Sequence, residues 1–241
     1  VAVFREHEAW LEEKTQNLLG VSLAAGQLAQ FSRFGEMLIA WNEKVNLTAI
    51  TEPQEVVVKH FLDSLTLTKF LLPGPLIDVG TGAGFPGLPL KIALPELPVV
   101  LVDALGKRLE FIKEVVAELG LEGVEIVHAR AEDLGRSATY RERFANVASR
   151  AVARLPVLLE YILPLARVDG VCLAAKGSQA EEEVREASKA LQVLGGKIRE
   201  IAQFRLSEAA EHRVVVVISK VNSTPAGYPR RAGTPEKKPL G

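Results

Sequence analysis

Leu76-Ile77-Asp78-Val79-Gly80-Thr81-Gly82-Ala83-Gly84-Phe85-Pro86-Gly87 is the stretch on which the fold of this 241-residue chain turns. An apolar start reaches an acid and a valine, breaks into glycines, and resumes apolar residues at helical spacing, which predicts strand, tight turn and helix. Glycine suits such a turn because a Cβ would block positive φ values and keep a ligand away from the backbone. The helix that follows aims free N–H groups and its positive dipole end at whatever lies over the turn. A second apolar strand, Val99-Val100-Leu101-Val102, ends in Asp103, 23 residues past Gly80. An acid about 20 residues on is where a ribose hydroxyl pair is met in a nucleoside-binding βαβ unit. Asp78, set just before the glycines, would repel a pyrophosphate and suits an ammonium. The stretch therefore favours S-adenosylmethionine over a dinucleotide.

Composition sets the bounds. At 48% hydrophobic and 24% charged residues, the chain reads as an ordinary globular protein able to hold one large α/β domain and an appendage. A net charge of −1 excludes a globally basic nucleic-acid coat, so any polyanion contact has to come from a local patch. The single cysteine, Cys172, sits in an apolar run and predicts a buried residue in a reducing compartment. His7, His60, His128 and His212 lack metal-ligand spacing, so no metal site is expected. Charged residues from Arg5 to Lys14 occupy the place of a signal-peptide core, and no apolar run approaches membrane-spanning length. A cytoplasmic protein is expected. A monomer is compatible with the sequence, which leaves the oligomeric state open.

Ahead of the glycine turn, apolar residues recur at helical spacing over 4–19 and 24–41 (Leu28, Phe31, Phe34, Leu38, Trp41). A third helix is predicted with Thr51 as N-cap and Pro53 in the first turn. Pro73-Gly74-Pro75 closes this helical cap, residues 1–72. Strands at 76–80, 99–103, 124–128, 146–149 and 170–175 then alternate with helices at 86–94, 106–119, 155–165 and 178–194, and with a helical turn near 131–143. That is the pattern of a parallel sheet covered on both faces. Lys197 to Leu206 and His212 to Lys220 have only a short polar connection, which predicts an antiparallel pair ending the 76–220 domain. Residues 221–241 carry Arg230, Arg231, Lys237 and Lys238, and three prolines in the last fourteen residues argue against regular structure. Such a tail is either frayed and solvated or an arm along a phosphate backbone. The Glu181–Lys189 run reads as a wet helix face, and no function is assigned to it.

These residues resemble the bacterial S-adenosylmethionine-dependent methyltransferases that modify guanine N7 in small-subunit (16S) ribosomal RNA, also called glucose-inhibited division protein B. The resemblance spans essentially the whole chain. It rests on Trp41-Asn42 with Asn46-Leu47-Thr48, Lys59-His60-Phe61-Leu62-Asp63-Ser64, the glycine turn ending in Phe85-Pro86-Gly87, and Val102-Asp103 with Lys107-Arg108. Further marks are Arg130-Ala131-Glu132, Ser149-Arg150-Ala151-Val152-Ala153, and Tyr228-Pro229-Arg230-Arg231 with Gly233-Thr234-Pro235. It implies a class I methyltransferase Rossmann-like α/β fold, mostly parallel with a C-terminal antiparallel hairpin.

For the cofactor, the resemblance implies Gly80 and Phe85 at the methionine end, Asp103, Ala104 and Leu105 at the ribose, Ala131 and Glu132 beside the adenine, and a contact from Arg150. Asp78 and Gly82 complete the candidate set. The residues themselves agree for Gly80, Asp103 and Glu132, which fall at predicted strand C-termini, where open α/β sheets bind ligands. The family usually has an aspartate after the aromatic that starts the fourth strand; here Ala145 follows Phe144, which implies weaker polar support for Arg150. The substrate implied is 16S ribosomal RNA or an assembling small subunit.

Guanine N7 offers its lone pair in the neutral base, so no general base is needed. Asn46, His60, Asp63 and Arg150 are the candidates for shaping a guanine pocket, while a histidine such as His60 on an apolar helix face is, in isolation, more often a hydrogen-bonded core residue. Arg230, Arg231, Lys237 and Lys238 are the candidate phosphate contacts, with Lys176, Arg205 and Arg213 behind them. A small-molecule methyltransferase and a non-catalytic RNA- or cofactor-binding protein are the alternatives. A nicotinamide reductase fits poorly, because Tyr140, Tyr161 and Tyr228 lack the lysine four residues on that its short-chain form carries.

Overall fold

The computed structural model describes residues 3–207 and 212–240. The first two residues of the expected cap, residues 208–211 of the hairpin connection and residue 241 of the tail lie outside them. The sheet is built from β1 (Leu76–Val79), β2 (Val99–Asp103), β3 (Val124–His128), β4 (Phe144–Arg150), β5 (Ala166–Lys176), β6 (Gly196–Phe204) and β7 (Arg213–Lys220). Its order is β3-β2-β1-β4-β5-β7-β6, and β7 runs antiparallel to both neighbours. The chain leaves β1 in one direction to β2 and returns on the other side to β4, so the switch point lies beside the glycine turn. Asp78 pairs with Ala148 in parallel register, which puts Gly80 and Arg150, each two residues further on, level at the same sheet edge.

Helices α1 (Glu8–Leu19) and α2 (Ala25–Asn42) form the cap with a third, composite rod. That rod begins as α3 (Pro53–Val56), widens to a π-helix (Val57–Leu62), narrows through α4 (Asp63–Leu65) and ends as a 3₁₀ turn (Thr66–Phe70). Its N-cap is Glu52, not Thr51: the Glu52 carboxylate accepts from Glu55 N–H at 2.8 Å, and Pro53 takes the position where no N–H is needed. The cap has no separate core. Phe31, Phe34 and Phe61 pack in one buried cluster with Phe85 of the glycine turn and Phe111, with ring centroids 5.1–6.2 Å apart.

Behind the glycine turn lie α5 (Gly87–Ala93) and α6 (Gly106–Glu118) on the cap's face of the sheet. The opposite face is covered by α8 (Leu155–Ile162), α9 (Ala180–Glu186) and α10 (Ser188–Leu194), with the short α7 (Ala131–Leu134) after β3. The single helix predicted at 178–194 is thus two, parted at Ala187, whose ψ of 1° breaks the ladder. The helical turn near 131–143 is confined to α7. Asn146 in β4 is fully buried and reaches back to the Pro73-Gly74-Pro75 boundary, accepting from Leu72 N–H and donating to Leu72 and Gly74 carbonyls.

Among the described residues the tail is irregular over most of its length, as its prolines predict, but it is tied to the domain and carries one short helix. Residues Thr234–Lys237 form α11, with Pro235 in its first turn, where a missing N–H costs nothing. Both signature prolines, Pro86 and Pro229, follow cis peptide bonds.

Phe34 is fully buried at the centre of the cluster that joins cap to sheet. Phe34→Ala is expected to lower the unfolding free energy by about 3–5 kcal/mol, because the cavity left between the rings of Phe61, Phe85 and Phe111 cannot collapse. Guanidinium unfolding measures it; a loss under about 1 kcal/mol would mean that the cap does not depend on this cluster.

Candidate functional site

Two carboxylates hold the glycine turn in shape. Asp103 accepts from Gly82 N–H through Oδ2 at 2.9 Å and from Leu105 N–H through Oδ1 at 2.8 Å. Asp78 accepts through Oδ2 from the Thr81 hydroxyl at 2.6 Å and from Gly87 N–H at 2.8 Å, and its Oδ1 has no partner among the described residues. Glycine is needed at 80 because φ is +70° and a Cβ there would strike Val152. At 87 the reason is proximity: a Cβ would lie 2.9 Å from Asp78 Oδ2. Burial pushes the Asp78 carboxyl up to about 6.

At the C-terminal ends of β1, β2 and β3 a cavity of about 300 Å³ is lined by Gly80, Asp103, Leu105, Glu132, Val152 and Tyr161, among others. Leu105 and Val152 are 54% and 38% exposed, so apolar surface is held open on its walls. Ala104 and Ala131 also line it. The other cofactor candidates do not: Asp78, Gly82 and Phe85 shape the turn beneath, and Arg150 belongs to a neighbouring cavity. Val152, Tyr161 and Glu236 are wall residues that sequence reasoning missed. Val152 lay inside a quoted motif, but nothing in the sequence brings Tyr161 or Glu236 to this place.

The second cavity, about 540 Å³, opens beside β4, β5 and β7 and shares Ala151 and Val152 with the first. Ala151 takes a φ of +55°, a left-handed conformation unusual for a residue with a Cβ, at the junction of the two. The second cavity is cationic, with Lys59, Arg150, Arg154, Lys176 and Arg213 against Asp63 and Glu183. Lys176 pairs with Glu183 at 2.8 Å. Lys176 and Arg213 thereby join the site, whereas Asn46 is exposed on a loop and Arg205 lies off it.

His60 and Asp63 are three residues apart, His60 within the π-helical segment and Asp63 directly after it, and both meet Arg150. The guanidinium donates to Asp63 Oδ2 at 2.9 Å, Lys59 carbonyl oxygen at 3.0 Å and His60 Nδ1 at 3.1 Å, with its carbon 5.0 Å from the Phe85 ring centroid. Asp63 Oδ1 also faces Arg213 Nε at 3.6 Å. The Ala145 departure therefore does not weaken Arg150. Ala145 sits five residues down β4, roughly 16 Å away, and packs near Gly74 instead.

An arginine only donates, so Nδ1 of neutral His60 accepts and the ring proton lies on Nε2, 2.8 Å from Thr48 Oγ1. The ring stacks on Phe85 at 4.6 Å. Burial, and then the Arg150 charge, hold its pKa down to about 3.

Of the tail candidates, Arg231, Lys237 and Lys238 are exposed, but Arg230 is bound to Glu160.

The signs of two titrations follow. Between pH 6.5 and 3 the unfolded chain carries a proton on His60 that the folded chain refuses, so stability falls as pH drops. Asp78 acts oppositely between pH 6 and 3.8, where the folded chain holds the proton and stability rises as pH drops. In the parent the two slopes largely cancel. His60→Gln removes the first, so its unfolding free energy should improve relative to the parent by about 1.4 kcal/mol per unit as pH falls from about 6 to about 4. Parallel curves in urea unfolding would refute the buried neutral ring.

The family model described as rRNA small subunit methyltransferase G matches residues 27–213. The protein named ribosomal RNA small subunit methyltransferase G of Desulfitobacterium hafniense (strain Y51) is 56% identical over 98% of this chain and 98% of its own length. The protein of the same name from Leuconostoc mesenteroides is 50% identical over 92% of this chain and 94% of its own. Among solved structures, TYW2 of M. jannaschii in complex with AdoMet superposes with a TM-score of 0.53 at 15% identity, over 67% of this chain and 76% of that one, a likeness of fold alone. With its sheet order, glycine turn and paired cavities, this chain belongs to the rRNA small subunit methyltransferase G family.

Proposed function

We propose that this chain transfers the methyl group of S-adenosylmethionine to N7 of a guanine in small-subunit (16S) ribosomal RNA, in the cytoplasm and without a general base. The observation that carries this reading is the pair of cavities joined at Ala151 and Val152, one apolar in part and lined by Asp103, Glu132 and Glu236 with Arg108 and Arg130, the other mostly cationic. The first suits the cofactor: Asp103 and Glu132 offer acceptors for hydroxyls and an amine, and Leu105 and Val152 offer apolar faces. Gly80, Asp103, Ala104, Leu105, Ala131 and Glu132 would hold it, with Asp78, Gly82 and Phe85 keeping the turn in shape beneath. When bound, S-adenosylmethionine supplies an electrophilic methyl carbon on a sulfonium.

What this chain supplies is position and charge. Orientation of two reactants with water excluded is worth about 7–11 kcal/mol, enough to carry a step whose nucleophile is already unprotonated. His60 does not serve as a base, because its one lone pair is taken by Arg150 and its proton by Thr48. Its task, with Asp63, is to hold Arg150 at the junction. Lys59, Arg154, Lys176 and Arg213 line the cavity that would take a guanine swung out of its stack, with phosphate following at the mouth.

Methyl-labelled cofactor incubated with unmodified 16S ribosomal RNA, naked and as assembled subunit, should leave label in 7-methylguanosine at one position. Label absent from both RNA forms despite cofactor binding would move the assignment to a small-molecule methyltransferase. Arg213→Gln should weaken RNA binding across sequences and reduce the slope of log affinity against log salt by about 0.7–0.9, the share of one lost phosphate contact. An unchanged slope would place Arg213 outside the RNA interface.

A further inference from the structure

The C-terminal segment crosses the molecule to reach the first cavity. Arg136 Nε donates to the Pro229 carbonyl at 2.7 Å, and Arg141 Nη1 to the Tyr228 carbonyl at 2.7 Å. Arg230 makes a two-pronged pair with Glu160, Nε to Oε1 at 2.9 Å and Nη2 to Oε2 at 2.6 Å, and its own N–H donates to Oε1 at 2.7 Å. Glu160 is fully buried, so this charge is compensated by the tail alone among the ion pairs of the described residues. Beyond that pin, Gly233 N–H donates to Glu132 Oε1 at 3.0 Å, and the Tyr161 hydroxyl donates to Glu236 Oε1 at 3.4 Å. Glu236 itself lines the cavity.

We infer that the C-terminal segment delivers Glu236 to the wall of the cofactor cavity, and that Glu236 with Glu132 reads the exocyclic amine of the bound nucleoside's base. The strand order places the base. The cavity runs from Ala151 and Val152, at the junction with the cationic cavity, past Gly80 and Asp103 to Ala131 and Glu132 after β3. The reacting end of the ligand lies at the junction, so the base lies at the Glu132 end, where Glu236 and Tyr161 stand. A carboxylate only accepts, so Glu132 and Glu236, beside the exposed Arg130 that also lines the cavity, favour an amino group on the base and oppose a carbonyl there. Burial, with Glu132 and Glu236 nearby, raises the Tyr161 pKa well above its ordinary value, so the hydroxyl stays a donor to Glu236. The tail is then a piece of the cofactor site, and Arg230 is its fastening.

This rests on the cofactor reading above. The test is titration calorimetry of S-adenosylhomocysteine, and of its inosine counterpart with a 6-carbonyl, against parent, Glu236→Ala and Glu236→Gln. Glu236 is exposed, so these variants fold. The parent should bind the adenine form at least about tenfold more tightly than the inosine form. Glu236→Ala should weaken the adenine form about tenfold and shrink that preference. RNA affinity and its salt slope should stay at parental values. The double variant Glu160→Gln with Arg230→Gln removes the fastening without leaving a buried unpaired charge, and should weaken cofactor binding likewise. Affinity and preference within twofold of the parent in Glu236→Ala, or loss of RNA binding in place of cofactor binding, would overturn the inference and leave the cofactor reading intact. A parent that binds neither nucleoside would overturn both.

Discussion

The ring of Phe85 is the contact on which the rest of the arrangement depends. It leaves the glycine turn and packs on Phe34 and Phe61 of the cap, with centroids at 5.2 and 6.1 Å. His60 stacks on it, and the Arg150 guanidinium lies over it. One buried side chain therefore sets three things against each other: the turn at the end of β1, the π-helical segment of the cap and the C-terminal end of β4. Interiors pack as densely as organic crystals, so a shift in any one of the three is felt by the others. The cap is thus part of the site, and its aromatic core fixes where His60 and Asp63 stand relative to the sheet.

The two cavities differ in their balance of charge, although each carries both signs. Asp103, Glu132 and Glu236 stand with Arg108 and Arg130 around the first, and Lys59, Arg150, Arg154, Lys176 and Arg213 outnumber Asp63 and Glu183 around the second. Several of the buried carboxylates are compensated by a cation, as the cost of burying an unpaired ion favours. Asp63 sits between Arg150 and Arg213, Glu183 beside Lys176, and Glu160 beneath Arg230. Such a difference lets two ligands of different electrostatic preference meet at a neutral junction made of Ala151 and Val152. The left-handed backbone at Ala151 turns the chain sharply enough for one residue to border both sides.

The pattern of apolar strands and helical spacings determined the sheet, its mostly parallel sense and its terminal antiparallel pair, because period and connection length are local properties. That Gly80, Asp103 and Glu132 gather around one cavity was legible for the same reason, since βαβ order alone brings strand C-termini together. Only the tertiary structure decided how these parts are fastened. Arg150 and Asp63 are 87 residues apart, and Glu160 and Arg230 are 70 apart, so nothing in local spacing pairs them. The π-helix has the same apolar residues as an α-helix and differs in one hydrogen-bond step, which periodicity does not register. A basic, proline-containing tail reads as solvated until the buried carboxylate that Arg230 satisfies comes into view. Composition and order along the chain encode which elements form; burial, and the compensation of each buried charge, decide which side chains come together.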